Sequence, residues 1–249
     1  MTEQEITQAR YHAACDIAHR WFAFFEGETE AAGLHSALFS EDVMLVHAGT
    51  HLLAQGKAEM TRWLRDLPYE RGAHFIRRID VIPLTDDQAE VNMEISYQVL
   101  GQEGQVGGAL SEYRTTVKFD REHNAVFTFL HKTPRMPNPD KVFRDAFAEN
   151  RLRSFIARFF QLMLTAPAHI RSLFAGNADA DSVRDGMALL EEIIPEDIQL
   201  LTADTRALSF SLQVSSNDRR CVLSLLLDEA PGRYMAIRHA SLSGHEDKP

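Results

Sequence analysis

Cysteine is scarce in this sequence. The only two thiols, Cys15 and Cys221, lie far apart in the chain, one in a probable helix and the other in a probable strand. Neither a Cys-x-x-Cys pair nor a set of closely spaced cysteines is present, which excludes a disulfide framework. We therefore expect both cysteines to be reduced and packed like small apolar side chains.

Long hydrophobic runs are also absent. Nowhere does the sequence contain about 18 uninterrupted apolar residues, the length that a membrane-spanning helix needs. The start of the chain, MTEQEI, lacks the basic region and apolar run of a secretory signal. We expect a soluble protein of the cytoplasm.

Positive charge is in deficit. Lys and Arg number 26 against 36 Asp and Glu, which gives a net charge of −10, and the basic residues are scattered. A field of this sign repels phosphate backbones and anionic lipid surfaces. The charge balance therefore argues against nucleic acid and membranes as partners.

Several catalytic motifs are missing. The sequence has no Gly-x-Gly-x-x-Gly, P-loop, Gly-x-Ser-x-Gly or His-Glu-x-x-His pattern. The glycines between positions 101 and 108 follow a strand but lead into another strand, so they form no phosphate-binding helix terminus. We expect no bound cofactor.

Apolar residues, in contrast, are abundant and periodic. They make up 45% of the chain, with 15 Phe, which is enough for a substantial core. Ala14, Ile17 and Trp21 recur at helical spacing and predict a first helix over about 3–26. After Pro68 the period changes to two, and Val91–Val99 alternates with polar residues as a strand does.

The same reasoning assigns the other elements of the first half. They are helices at about 28–39 and 56–67, a short strand after the turn at Gly49, and strands at about 43–48, 73–82, 111–119 and 125–132. The tally predicts an α+β fold in which three helices precede a curved, largely antiparallel sheet.

The stretch Leu38–Met60 identifies a possible family. It reads LFSEDV after a helix, then a hairpin, then GKAE into a further helix. This order resembles the nuclear transport factor 2-like superfamily, which includes ketosteroid isomerase and the SnoaL-like polyketide cyclases. The resemblance implies a cystatin-like cone, in which helices packed on a curved sheet enclose a pocket for a small apolar or ring-containing ligand.

The second half of the chain resembles a degenerate copy of the first. We predict a complete unit at 1–133, a proline-rich linker at 134–141, and a shortened second unit at 142–249 that lacks the first β-hairpin. A long helix at about 140–164 would open the second unit, and strands are expected near 198–203, 207–214, 221–227 and 233–242. An unrelated α+β domain remains the alternative.

The tandem arrangement has consequences for assembly. Members of the superfamily commonly pair sheet to sheet, so two fused copies imply an internal pseudo-dimer. Whether two such chains form a further homodimer is left open by the sequence. His131 and His239 lie 108 positions apart in the two halves. We predict that they pack on the outer sheet face, His131 with Phe127 and Phe129 and His239 with Met235 and Ile237, and that they mark the contact between the halves.

The resemblance implies positions for a reaction site. The catalytic carboxylate of ketosteroid isomerase falls at His47, so this imidazole is the predicted base; a structural histidine at the pocket rim is the alternative. The isomerase's two oxyanion donors fall at Trp21 and Thr115, and Tyr113 lies on the same face as Thr115. Because these donors differ from the isomerase pattern, steroid isomerisation itself is not expected.

His74 and Tyr97 are further predicted ligand-binding residues. Two imidazoles facing a cavity are typical of dehydratases of this superfamily, although its place at the start of a strand favours a surface or edge position for His74. With His51, the histidines His47 and His74 could approach a metal, but no cysteine or clustered carboxylate completes a ligand set. No metal is predicted.

Two functions remain open from the sequence. One is a cofactor-independent lyase or isomerase that uses a pocket histidine for proton transfer. The other is a non-catalytic ligand-binding or assembly module. An open cavity with a hydrogen-bonded histidine would favour the first, and a cavity filled by Phe and Trp side chains would favour the second.

Overall fold

The computed structural model describes residues 1–27, 32–176, 178, 180–191, 193, 198–216, 219–230 and 233–244. It divides into two compact units. One consists of residues 13–154, and the other combines residues 1–12 with residues 155–249. The helices in the described part of the chain are too short or too polar to cross a membrane.

The unit of residues 13–154 is built from helices and one sheet. Its helices are α1 (Glu3–Phe25, which begins in the other unit), α2 (Ala32–His35) and α3 (Lys57–Asp66). Its strands are β1 (Phe39–His47), β2 (His51–Gln55), β3 (Gly72–Thr85), β4 (Gln88–Leu100), β5 (Val106–Phe119) and β6 (Ala125–Pro137). This is the predicted α+β arrangement.

The six strands form one sheet in the order β2-β1-β6-β5-β4-β3. Strand β1 runs parallel to β6, and all other neighbours are antiparallel. Val91, Met93 and Ile95 of β4 are buried, as the alternating sequence pattern predicts. The apolar face of the sheet therefore forms one wall of the core.

Helix α1 supplies the facing wall. Ala14, Ile17, Ala18 and Trp21 recur at three- and four-residue spacing, and all four are buried in the core cluster. Their burial confirms the helical stripe read from the sequence. Burial of such a stripe against a sheet is the main source of stability for a helix of this kind.

The segment before β1 differs from the prediction. Residues 28–31 of the predicted second helix lie outside the described part. The rest forms only α2 and a 3-10 turn over Ser36–Leu38, and β1 begins at Phe39, four residues earlier than expected. Phe39 pairs with Phe127 of β6 and is buried, so core packing extends the strand.

Strand β6 contains a β-bulge that the sequence pattern did not reveal. Thr116 pairs with Phe129 and Val117 with Phe127, so Thr128 is an extra residue in β6. A bulge of this kind reverses the alternation of side chains along the strand. Phe127 is consequently buried in the core, and the prediction that it lies on the outer face with Phe129 is wrong.

The predicted linker begins as a strand. Strand β6 continues to Pro137 along β5, where Met136 pairs with Leu110. Helix α4 (Phe147–Thr165) starts later than the predicted residue 140, since Lys141 to Ala146 are non-helical. The position of the boundary between two sequence repeats stays a prediction.

The second unit carries its own sheet. Its elements after α4 are a 3-10 segment (Pro167–Leu173), helix α5 (Ala180–Glu191), and strands β7 (Gln199–Asp204), β8 (Ser209–Ser216), β9 (Arg219–Ala230) and β10 (Arg233–Gly244). The four strands lie in the order β10-β9-β8-β7. All four lie close to the predicted positions.

One bridge in this unit repeats a feature of the first. Phe174 pairs in parallel with Ile237 of β10, much as Phe39 pairs in parallel with Phe127. Residues 175, 176 and 178, the described ones between Phe174 and α5, contain no strand. The interpretation of this unit as a copy shortened by one β-hairpin stays a prediction.

Candidate functional site

A cavity of about 600 Å³ lies within the unit of residues 13–154. Its walls come from α1, β1, β2, α3 and the strands β3 to β6, together with the segment from Leu67 to Glu70. Most of its lining is apolar, including Phe25, Leu45 and Trp63. A cavity of this size and character is suited to a small ring-containing ligand.

Five of the six residues predicted to form the site line this cavity. They are Trp21, His47, His74, Tyr97 and Tyr113. The curved sheet brings them together, because they come from α1 and from four different strands.

Thr115 does not belong to the cavity lining. Its side chain is buried, and its Oγ1 donates to the carbonyl oxygen of Val91 at 2.9 Å. Tyr113 lies two residues earlier on the same strand face, and its side chain does line the cavity. This hydrogen bond of Thr115 thus links β5 to β4.

His74 lies on β3, an edge strand of the sheet, but its side chain is buried, so the surface position considered for it is wrong. Its ring stacks between two aromatic rings, with the centroid of Phe22 at 5.1 Å and that of Tyr97 at 4.6 Å. Strand β3 positions it, since His74 pairs with Tyr97 of β4. The stacking fixes the plane of the imidazole at the cavity wall.

Glu26 lies beside His74. Its Oε1 is 3.4 Å from Nδ1 of the imidazole and also accepts the backbone N–H of His74. Burial lowers the pKa of His74, while the Glu26 carboxylate acts in the opposite direction and raises it. With Nδ1 turned toward Glu26, Nε2 is the ring nitrogen left for a ligand.

Asn150 of α4 fixes the position of Glu26. Its Nδ2 donates to Glu26 Oε2 at 2.9 Å and to the backbone carbonyl of His74 at 2.8 Å. Its Oδ1 lies 2.8 Å from Nδ1 of the half-buried His19. These contacts define the orientation of the amide, because both donors meet acceptors and the acceptor meets an imidazole.

His47 lies in a different environment. It lines the cavity at a half-buried position and pairs with His51 across the β1-β2 hairpin. Burial lowers its pKa, and nearby Lys132 adds to the effect. Among the described residues its ring has no hydrogen-bond partner, so nothing fixes its tautomer.

Tyr113 and Trp21 form a donor pair in the cavity wall. Burial raises the pKa of Tyr113, and the neighbouring indole N–H of Trp21 opposes this shift. Tyr113 therefore remains a neutral phenol that can donate a hydrogen bond at physiological pH. The ring of Trp21 also stacks on Trp63, with the centroids 6.3 Å apart.

Tyr97 connects the imidazole to two charged groups. Its hydroxyl donates to Glu70 Oε2 at 2.9 Å, and burial raises its pKa. On its ring, Lys132 Nζ lies 5.3 Å from the centroid. His74, Tyr97 and Lys132 therefore form a contiguous group along the cavity wall.

Sequence reasoning missed Glu26, Asn150 and Lys132. The position of Glu26 could have indicated a functional role. It lies one turn after buried Phe22, and an acid near a helix C-terminus is unfavourable because it opposes the helix dipole. Lys132 reaches the cavity only because of the bulge at Thr128. Asn150 gave no signal, since its partners are more than 70 positions away.

The histidines of the site do not assemble into a metal centre. Among the residues that the structure describes, no group of three or more His, Cys, Asp or Glu side chains is arranged to hold a metal ion. His47 and His51 are paired, but His74 has Glu26 as its neighbour instead.

Comparison with known proteins gave results only at the level of structure. No protein-family model and no curated protein matches the sequence. A candidate scytalone dehydratase of Novosphingobium aromaticivorans is similar, with a TM-score of 0.48 and 15% identity over 57% of this chain and 95% of the other.

Two further solved structures illustrate the range of similarity. The hexachlorocyclohexane dehydrochlorinase LinA-type3 of Novosphingobium barchaimii has a TM-score of 0.46 and 11% identity over 57% of this chain and 99% of the other. An NTF2-like protein with a cystatin-like fold from Novosphingobium aromaticivorans has a TM-score of 0.42 and 16% identity over 49% of this chain and 79% of the other.

Identities of this size concern the fold alone, and no activity is transferred from these proteins. The fold of residues 13–154 is assigned from the arrangement of their helices and six-stranded sheet. By that architecture residues 13–154 have an α+β, cystatin-like fold, in which helices pack on a curved, mostly antiparallel sheet.

Proposed function

We propose that this protein is a cofactor-independent lyase or isomerase that removes a proton from carbon in a small apolar or ring-containing substrate. The observation that carries the proposal is the His74–Glu26 pair, with Nδ1 and Oε1 3.4 Å apart, at the wall of a mostly apolar cavity. A base is most effective when its pKa lies near the working pH; burial lowers the pKa of the His74 imidazole, and Glu26 opposes this shift.

In this proposal His74 Nε2 takes the proton. Burial keeps the imidazole neutral, and Glu26 stabilises the imidazolium that forms. At 3.4 Å the two groups are close but do not form a well-aligned hydrogen bond, as is common for catalytic groups without a substrate. His47, the base expected from the sequence, has no comparable partner.

The electron pair left on carbon needs a stabilising group. The phenol of Tyr113, with the indole N–H of Trp21 beside it, is the proposed donor to a carbonyl or leaving-group oxygen. If the pair expels a leaving group, the result is elimination with formation of a C=C bond. If His74 returns the proton to another carbon, the result is isomerisation.

The elimination of nitrobenzisoxazole tests this proposal without knowledge of the natural substrate. A base removes its ring proton, the N–O bond breaks, and a coloured phenolate appears. We expect catalysis by the wild-type protein, a loss of about 100-fold or more in His74→Gln, and little change in the matched variant His47→Gln.

Three outcomes would count against the proposal. They are equal losses in both variants, a loss confined to His47→Gln, or no wild-type rate above that of free imidazole. The last result, combined with retained binding of ring compounds, would favour the non-catalytic ligand-binding module. Melting temperatures of all three proteins establish that each variant is folded.

A further inference from the structure

We propose that Lys132 is a carbonyl-binding residue that condenses with aldehydes or ketones in the cavity to form an imine. Its side chain lines the cavity, although the mechanism proposed above assigns it no part. Strand pairing places Lys132 opposite Tyr113 on one side and opposite His47 on the other. The three side chains thus form a row across adjacent strands.

The charge environment of Lys132 is unusual. Among the described residues, no carboxylate oxygen lies within ion-pair distance of its Nζ. Glu70 is the acid that acts on it, raising the pKa of Lys132, and its carboxylate already accepts the hydroxyl of Tyr97. By contrast, Lys57 and Lys118 have acidic partners, Glu41 at 3.2 Å and Asp87 at 3.7 Å.

This environment favours a nucleophilic amine. Imine formation requires the neutral form of lysine, and burial in an apolar cavity lowers its pKa. The ring of Tyr97, 5.3 Å from Nζ, holds the amine against the wall. Lysine shifts its pKa readily when buried, which makes such lysines suitable for Schiff-base chemistry.

The condensation balances without any added oxidant or reductant. The neutral amine attacks the carbonyl carbon, a C–N bond forms, and the carbonyl oxygen takes up a proton. The resulting carbinolamine loses its hydroxyl as water, and the second amine proton leaves as the C=N bond forms. Tyr113 and His47 flank Lys132 in the row and can exchange these protons.

Reductive trapping provides a direct test. The full chain is incubated with benzaldehyde and cyanoborohydride, and the labelled lysine is located by intact mass and peptide mapping. The chain contains five lysines, so exposed Lys118 and Lys141 serve as internal references. We expect Lys132 to be labelled faster than either reference, because burial lowers the pKa of its amine and leaves more of it neutral.

Variants make the result decisive. Lys132→Arg keeps the charge but cannot form the imine, so the fast adduct should disappear, while the matched variant Lys118→Arg should retain it. Lys132→Met provides a second variant if the arginine does not fold. His74→Gln should still be labelled, which separates this proposal from the function proposed above. Labelling of all lysines at the same rate, or no adduct at Lys132, would overturn the proposal.

Discussion

The side chain of Asn150 links the two partners of the His74–Glu26 pair. One of its amide hydrogens is donated to Glu26 Oε2 at 2.9 Å, and the other to the backbone carbonyl of His74 at 2.8 Å. A residue of α4 therefore holds a carboxylate just after the end of α1 and an imidazole on β3. This relationship leads to predictions for stability, pH dependence and proton transfer.

Replacing Asn150 with Ala should weaken both fold and activity. Three buried groups, on His19, Glu26 and His74, would lose a partner, and we expect a loss of about 3 kcal/mol in the free energy of unfolding. Activity toward nitrobenzisoxazole should fall because Glu26 is no longer held in place. Urea unfolding and initial rates measure the two effects.

The neighbouring variant Glu149→Ala is the control. Glu149 is half-buried on the same helix, and among the described residues its charged partner is Arg153 at 4.0 Å, so we expect a change within about 0.5 kcal/mol. Equal stability losses in both variants would contradict the role assigned to Asn150.

Glu26→Gln should shift the pH–rate profile. The carboxylate raises the pKa of His74, so its removal lowers that pKa further. A base works only when unprotonated, so the acidic limb of the profile should move to lower pH, and the maximal rate should fall as the base weakens. An unchanged limb would show that Glu26 does not act on the base.

His19 should make stability depend on pH. Burial lowers its pKa from 6.5 to about 4, with the Asn150 bond acting in the opposite direction. Below about pH 6.5 the unfolded chain binds a proton that the folded chain does not, so stability should fall between about pH 6.5 and pH 4. The full contribution is about 3 kcal/mol.

The matched comparison uses His19→Gln and the exposed His51→Gln. Between about pH 7.5 and pH 5, wild type should lose about 2 kcal/mol more than His19→Gln. The His51→Gln protein should follow wild type. If the His19→Gln protein has the wild-type pH dependence, the assignment of His19 as neutral in the folded chain is wrong.

Intrinsic fluorescence should report ligand binding directly. The chain has only two tryptophans, and both Trp21 and Trp63 line the cavity. Ring compounds that enter the cavity should quench or shift the whole emission and raise the melting temperature in parallel. Ligand-dependent stabilisation with unchanged emission in wild type would indicate that binding occurs elsewhere.

Much of the fold could be predicted from the sequence because it rests on local periodicity. The α1 stripe from Ala14 to Trp21 and the alternation in β4 each record burial on one face. The early start of β1 could not be predicted in this way, because it depends on the pairing of Phe39 with Phe127, which lie far apart in sequence.

The site could be predicted only in part for the same reason. His74 and Tyr97 were placed at the pocket because each lies in a recognisable strand. The choice between His47 and His74 depends on Glu26 and Asn150, which meet through contacts between distant segments. Lys132 depends on a one-residue bulge, which composition and periodicity do not reveal.

The most direct test of the account is the tautomer of His74, read from the nitrogen chemical shifts of its imidazole by NMR at about pH 7.5, where an unperturbed imidazole is mostly neutral. The account predicts a neutral ring with its proton on Nδ1, facing Glu26, and with Nε2 free to accept a proton. It also predicts loss of this preference in Glu26→Gln. A proton on Nε2, or a fully charged imidazolium, would contradict the account, because neither form can remove a proton from a substrate in the cavity.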